Sequence, residues 1–226
     1  MKIGILQTGR VPDELQATHG DYDAIFERFL AGHGFTFETW PVLDGVVPDR
    51  PEDADGWLIT GSKFGAYEDH AWIPPLEDFL RRVYAAGVPI VGICFGHQIL
   101  AQALGGKVEK FEGGWSVGPV TYRLDGFPDG ARLHAWHQDQ VTALPAEAAV
   151  VGSTDFCRYA ALAYGDRALT IQPHPEFSRA FLADLIVARG DVLPAEIAEE
   201  ARRNLDQETV SPAIAERIAT FFRQAR

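Results

Sequence analysis

Cysteine is scarce in this sequence: Cys94 and Cys157 are the only two among 226 residues. That excludes a disulfide framework and a zinc site of the cysteine-rich kind. Cations are outnumbered, with 20 Lys and Arg against 32 Asp and Glu and a formal net charge of −12. A general binder of the phosphate backbone needs basic surface, so nucleic acid is not an expected partner, whereas a small anion at a local site is still allowed. No apolar run approaches the ~20 residues of a membrane span. Met1-Lys2-Ile3-Gly4-Ile5-Leu6 lacks the apolar stretch of a signal peptide and reads as a first strand. The expectation is a soluble, cytoplasmic protein with no membrane partner. Internal repeats and low-complexity linkers are missing as well. What is present is globular, with 46% apolar and 23% charged residues. A chain this long buries roughly 70% of its extended surface and needs no cross-links.

The first half alternates strand-like and helix-like segments. Lys2–Leu6, Phe35–Trp40 and Gly56–Thr60 read as strands. Asp23–Ala31 carries Ile25, Phe26, Phe29 and Leu30 at helical spacing. Leu76, Phe79, Leu80, Val83 and Tyr84 predict an amphipathic helix that ends near Gly87 and Pro89. Val88–Ile93 is nearly continuous in apolar residues, as a central parallel strand covered on both faces should be. His97–Leu104 reads as a helix stopped by Gly105-Gly106. This is the rhythm of an open α/β sheet. From Lys107 to Tyr164 the strand candidates become short: Val117–Leu124, Ala131–Ala135, Ala148–Gly152 and Arg158–Tyr164, an antiparallel region attached to the sheet. Ala168–Gln172 returns as a strand, followed by a helix from about Ser178 to Arg189. Two parts are expected: a main domain over 1–190 and an accessory helical tail over 191–226. In the tail Ser211-Pro212 reads as an N-cap and first turn, and Ile214, Ile218, Phe221 and Phe222 form one apolar face.

The most informative stretch is Pro89-Ile90-Val91-Gly92-Ile93-Cys94-Phe95-Gly96-His97-Gln98. A buried strand ends at Cys94 and a helix begins at once. That junction lies at the carboxyl edge of the sheet, where open α/β sheets place ligands. Gly92 and Gly96 leave room for a sharp elbow that presents the Cys94 side chain. The following helix aims its N-terminus at the sulfur, and its dipole favours the thiolate. The backbone N–H of Phe95 is free to meet an oxyanion. Taken alone, Cys94 also fits a small buried hydrophobe; Cys157 has no such context and reads as structural. A nucleophile needs a base. Gln172-Pro173-His174-Pro175-Glu176-Phe177 follows a strand, and in extended chain His174 and Glu176 face the same way. Glu176 would orient the imidazole and His174 would activate Cys94.

These residues resemble the class I (triad) glutamine amidotransferase domain, closest to its stand-alone branch related to GMP synthase. The match lies in Gly92-Ile93-Cys94-Phe95-Gly96-His97-Gln98, in Leu100–Val108, and in His174-Pro175-Glu176, and spans roughly residues 40 to 180. The resemblance implies a flavodoxin-like three-layer open sheet, mostly parallel with an antiparallel extension. It implies hydrolysis of the glutamine side-chain amide to glutamate and ammonia through a γ-glutamyl thioester on Cys94, with His174 and Glu176 completing the triad. It further implies Gly61, in Thr60-Gly61-Ser62, and Phe95 as oxyanion donors. Gln98 matches a substrate-holding position, and His137, Gln138 and Asp139 match the segment that holds the substrate's amino-acid end. Gly114-Trp115-Ser116-Val117-Gly118 matches a further loop, where Trp115 is either a packed aromatic or a ligand contact. No cofactor is implied. Nor is a metal: His134 and His137 lack a third ligand.

The sequence lacks a Gly-x-x-x-x-Gly-Lys-[Ser/Thr] phosphate loop and the Ser-Gly-Gly-x-Asp-Ser run of an ATP-pyrophosphatase. Residues 191–226 are too few for a synthase domain. Acceptor chemistry is therefore expected on a synthase subunit in trans, or not at all. In the second case the same triad would cleave γ-glutamyl bonds in peptides or conjugates. An α/β-hydrolase is disfavoured, because its acid and histidine are far apart in sequence. An inactive or partner-dependent interaction module keeping this fold stays open.

Overall fold

The apolar strand segments assemble into one nine-stranded sheet. A computed structural model describes residues 1–224; Ala225 and Arg226, the end of the expected tail, lie outside the described residues. In chain order the elements begin with strand β1 (Lys2–Gln7), helices α1 (Asp13–His19) and α2 (Tyr22–Phe29), and strands β2 (Thr36–Pro41) and β3 (Gly56–Ile59). Helix α3 (Ile73–Ala86), strand β4 (Ile90–Ile93) and helix α4 (Phe95–Ala103) follow. The middle contributes β5 (Lys107–Lys110), β6 (Ser116–Leu124), β7 (Ala131–His137), β8 (Asp139–Ala143), β9 (Ala149–Ser153) and β10 (Ala161–Tyr164). Strand β11 (Ala168–Ile171) and helices α5 (Arg179–Arg189), α6 (Ala195–Asn204) and α7 (Ser211–Gln224) complete it.

The strand order is β2-β1-β3-β4-β11-β10-β9-β6-β7. The first five are mutually parallel and the rest pair antiparallel. The parallel part has the flavodoxin-like order, with β11 as its fifth strand. Strands β5 and β8 form a separate antiparallel ribbon. Two apolar layers sandwich the parallel strands. On one face Leu6, Trp57, Ile59 and Ile90 meet Leu76, Phe79, Leu80 and Val83 of α3 and Ile99 and Leu100 of α4. On the other Ile3, Ile5, Leu58, Val91 and Ile93 meet Phe26 of α2 and Ile214, Ile218 and Phe222 of α7. Side chains of β3 alternate between the two layers, as a strand covered on both sides requires.

Helix α7 is thus part of the main packing. Phe222 is fully buried, and a Cβ added to Gly56 would stand 2.8 Å from its ring. Ser211 is the first helical residue rather than the cap, and its hydroxyl meets that of Thr209 at 3.0 Å. Helix α4 begins two residues earlier than its apolar spacing suggested, directly after Cys94. The strand expected over Arg158–Tyr164 is confined to Ala161–Tyr164, because Arg158–Ala160 runs in the preceding loop. No helix among the described residues is long and apolar enough to cross a membrane.

Candidate active site

Parallel strands β4 and β11 run in register, with Ile93 opposite Ile171. The Cys94 N–H continues the ladder by donating to Ile171 O at 2.9 Å. Cys94 and the segment Gln172–Glu176 therefore leave the sheet side by side at its carboxyl edge. At Cys94 the chain turns with φ 54° and ψ −103° and enters α4 immediately. It is the one non-glycine residue at positive φ among the described residues. Such a backbone costs on the order of 1–3 kcal/mol and persists where the surroundings enforce it. The glycines do the enforcing. A Cβ on Gly92 would collide with the Gly96 carbonyl, and one on Gly96 would lie 2.5 Å from Ile59 O. The close seating of α4 against β3 and β4 holds the elbow, and the Phe95 N–H is one of the first-turn donors without an intrahelical partner.

His174 is fixed from three sides. Its backbone N–H donates to His134 O on β7 at 2.7 Å. Its ring stacks on Phe177 at a centroid distance of 3.9 Å and 10° between planes. Its Nδ1 lies 2.7 Å from Glu176 Oε1, and both side chains are buried. With Nδ1 committed to the carboxylate, Nε2 is the nitrogen left for chemistry. Burial opposes the imidazolium, yet the Glu176 carboxylate and then the Cys94 sulfur outweigh it, and the His174 pKa stands above the ordinary imidazole value. A Cβ on Gly61 would be 2.9 Å from His174 Cε1 and 3.8 Å from Cys94 Cβ, so Gly61, Cys94 and His174 converge on one point. The Gly61 carbonyl is tied back by the hydroxyls of Thr60, at 3.1 Å, and Thr8, at 3.3 Å.

The neighbouring histidines differ from His174. His97 places Nδ1 2.8 Å from Thr170 Oγ1, and burial, followed by His137, pushes its pKa down to about 3. His137 is also pushed down to about 3, by burial and then by His174. His134, with Nδ1 2.9 Å from Phe177 O, is lowered mainly by burial. Burial thus holds these imidazoles down, whereas the Glu176 carboxylate holds His174 up. His134 and His137, three apart on β7, point to opposite faces, and no group of three or more His, Cys, Asp or Glu among the described residues could hold a metal.

The residues assigned to the substrate's amino-acid end occupy the β7–β8 junction. His137 is buried, with Nδ1 3.3 Å from Asp139 O and its ring against Phe156. Gln138 donates to Phe111 O at 3.1 Å. Asp139 is partly exposed, and its carboxylate lies beside Tyr67 across Gly65. Gln98 is brought to the same place, donating to Asp139 O at 2.9 Å. Trp115, partly buried, packs against a further apolar cluster that includes Phe177, Phe181 and Leu182, its ring 6.4 Å from that of Trp136. One neighbour of the sulfur has no counterpart among the residues expected from sequence. Gln172, fully buried, sets Nε2 3.6 Å from Cys94 Sγ. Its signal was a polar residue just past an apolar strand that pairs with the one ending at Cys94.

The chain is similar to known proteins of one family. Residues 44–183, more than half of the chain, match the family model described as glutamine amidotransferase class-I. The chain is 29% identical over 221 residues to γ-glutamyl peptidase 4 of Arabidopsis thaliana, covering 91% of this chain and 88% of that one. It is 28% identical over 200 residues to a glutamine-hydrolysing GMP synthase of Caldicellulosiruptor saccharolyticus, covering 80% of this chain and 38% of that one. The crystal structure of a glutamine amidotransferase from Methylobacillus flagellatus shares the fold, with a TM-score of 0.79 at 22% identity over 99% of this chain and 93% of the other.

Proposed function

The chain belongs to the class-I glutamine amidotransferase family, and from that premise we propose that it hydrolyses γ-glutamyl amides through a thioester on Cys94. The observation that carries the reading is the strained Cys94 elbow beside a buried, carboxylate-paired His174. Sγ attacks the γ-carbonyl carbon, and the N–H groups of Gly61 and Phe95 donate to the oxyanion. His174, protonated at Nε2, gives its proton to the departing nitrogen, and the C–N bond breaks. Water then attacks the thioester while His174 takes its proton, and glutamate leaves as the Cys94 sulfur is freed. Glu176 holds the imidazole in orientation and stabilises its cation throughout. His137, Gln138 and Asp139, with Gln98, border the amino-acid end of the substrate.

With glutamine the departing group is ammonia, available to an acceptor enzyme on another chain. A second reading has the same thioester formed from γ-glutamyl peptides. It is favoured by the near full-length similarity to a γ-glutamyl peptidase, whereas the GMP synthase match covers only 38% of that protein. Ammonia release from glutamine, measured beside amine release from a panel of γ-glutamyl peptides, tests both. Turnover of either that disappears in Cys94→Ala is the expected result. Undiminished turnover in Cys94→Ala would sink the mechanism. Silence of the wild type on every substrate would point to an inactive or partner-dependent module.

A further inference from the structure

The amide of Gln172 has its direction imposed from a distance. The main-chain oxygen of Asp139 can only accept, so the Gln98 nitrogen must face it, at 2.9 Å. The same nitrogen lies 3.1 Å from the Gln172 amide, which must therefore present its oxygen. That turns Nε2 of Gln172 towards Cys94, 3.6 Å from Sγ. Reversing either amide would set oxygen against oxygen or donor against donor in a pocket where both side chains are buried. Both hydrogen-bond contacts of the Gln98 nitrogen are thereby spent inside the protein.

We infer that this amide chain holds the nucleophile: Gln172 donates to the Cys94 sulfur, and Gln98 is the positioning residue that keeps the donor turned towards it. The inference rests on Cys94 being the nucleophile, as proposed above. A donor favours a charged acceptor over a neutral one, so Gln172 stabilises the thiolate more than the thiol. It also restricts the direction in which Sγ points. Asp139 starts β8, Gln98 sits on α4 and Gln172 follows β11, so one chain of hydrogen bonds links three elements and ends at the sulfur. The chain also joins the substrate-end segment to the reacting atom.

The test is the pH dependence of Cys94 alkylation by iodoacetamide, mapped by peptide mass, in the wild type, Gln172→Met, Gln172→Glu and Gln98→Met. Cys157 does not compete, being buried and pushed up to about 12 by that burial. Loss of a hydrogen bond to a charged group is large enough for an effect of about tenfold. Alkylation at neutral pH should therefore fall about tenfold in Gln172→Met and further in Gln172→Glu, with each profile displaced to higher pH. Gln98→Met, which leaves Gln172 in place, should move the same way by less. Unchanged profiles in Gln172→Met and Gln98→Met would overturn the inference. The readout needs no substrate. A wild type with this alkylation behaviour but no γ-glutamyl turnover would refute the reaction and leave the amide chain standing.

Discussion

Gly92→Ala isolates the packing that shapes the elbow. The added Cβ would lie 2.6 Å from the Gly96 carbonyl carbon and closer still to its oxygen. Carbon atoms in contact stand ~3.5–4.0 Å apart, so the start of α4 must retreat by about 1 Å. Nothing flexible is there to yield, since the obstacle is backbone held between β4 and the Ile59 carbonyl. Overpacking of this kind costs about 1–3 kcal/mol, which for a chain of this size lowers Tm by roughly 3–10 °C. The effect on turnover should be larger than the loss of stability implies. Cys94 and the Phe95 N–H move with the helix start, and a displacement of about 1 Å at a reacting group costs ~10²-fold. Steady-state kinetics on a γ-glutamyl amide at 25 °C, beside thermal unfolding, separates the two effects. Gly87→Ala is the control: Gly87 has φ +73° and open space around it, so it loses stability from backbone strain with no displacement of Cys94. A Gly92→Ala protein with the kcat/KM of the wild type would refute the steric account of the elbow.

Glu176→Gln removes the strongest influence that favours the His174 cation. Turnover should fall ~10²–10⁴-fold, and the alkaline limb of kcat/KM should move to lower pH, because the imidazolium is lost sooner; an unmoved limb would show that Glu176 does not stabilise that cation. His97 and His137 stay neutral in the fold, with pKa values near 3 against the ordinary 6.5. As the pH falls below 6.5 the unfolded chain takes up protons that the folded chain refuses, so stability is full above that range and is lost down to about pH 3. Each group contributes up to ~1.4 kcal/mol per pH unit to that slope. Denaturant unfolding of His97→Gln across this range should show a slope smaller by one proton. Phe222→Ala should cost about 3–5 kcal/mol, because its ring fills the space over Gly56 beside Ile3 and Phe35. A Tm within a degree or two of the wild type would show α7 to be dispensable.

The parallel half was legible because its strands are buried on both faces and its helices on one. Val91 and Ile93 sit in a nearly continuous apolar run, and Leu76, Phe79, Leu80 and Val83 repeat at the helical period. The elbow was legible from two glycines whose spacing has a steric cause. Helix α1 was not, since none of its residues is buried and no apolar face marks it. The β5–β8 ribbon was hidden in part by Lys107 and Lys110, exposed residues that give strand β5 little apolar signal. Gln172 was missed because its meaning lies in three dimensions. It stands near His174 in the chain, and only the β4–β11 register brings it to Cys94. The inward use of the Gln98 amide likewise depends on Asp139, which is 41 residues away.

The most direct measurement is the intact mass of the protein, acid-quenched within its first turnover of an activated γ-glutamyl anilide. Nucleophilic attack by Cys94 predicts a burst of aniline release and one glutamyl group added per chain, mapped to Cys94 and absent from Cys94→Ala. Aniline release that proceeds equally well in Cys94→Ala, with no adduct on the wild type, would contradict the account.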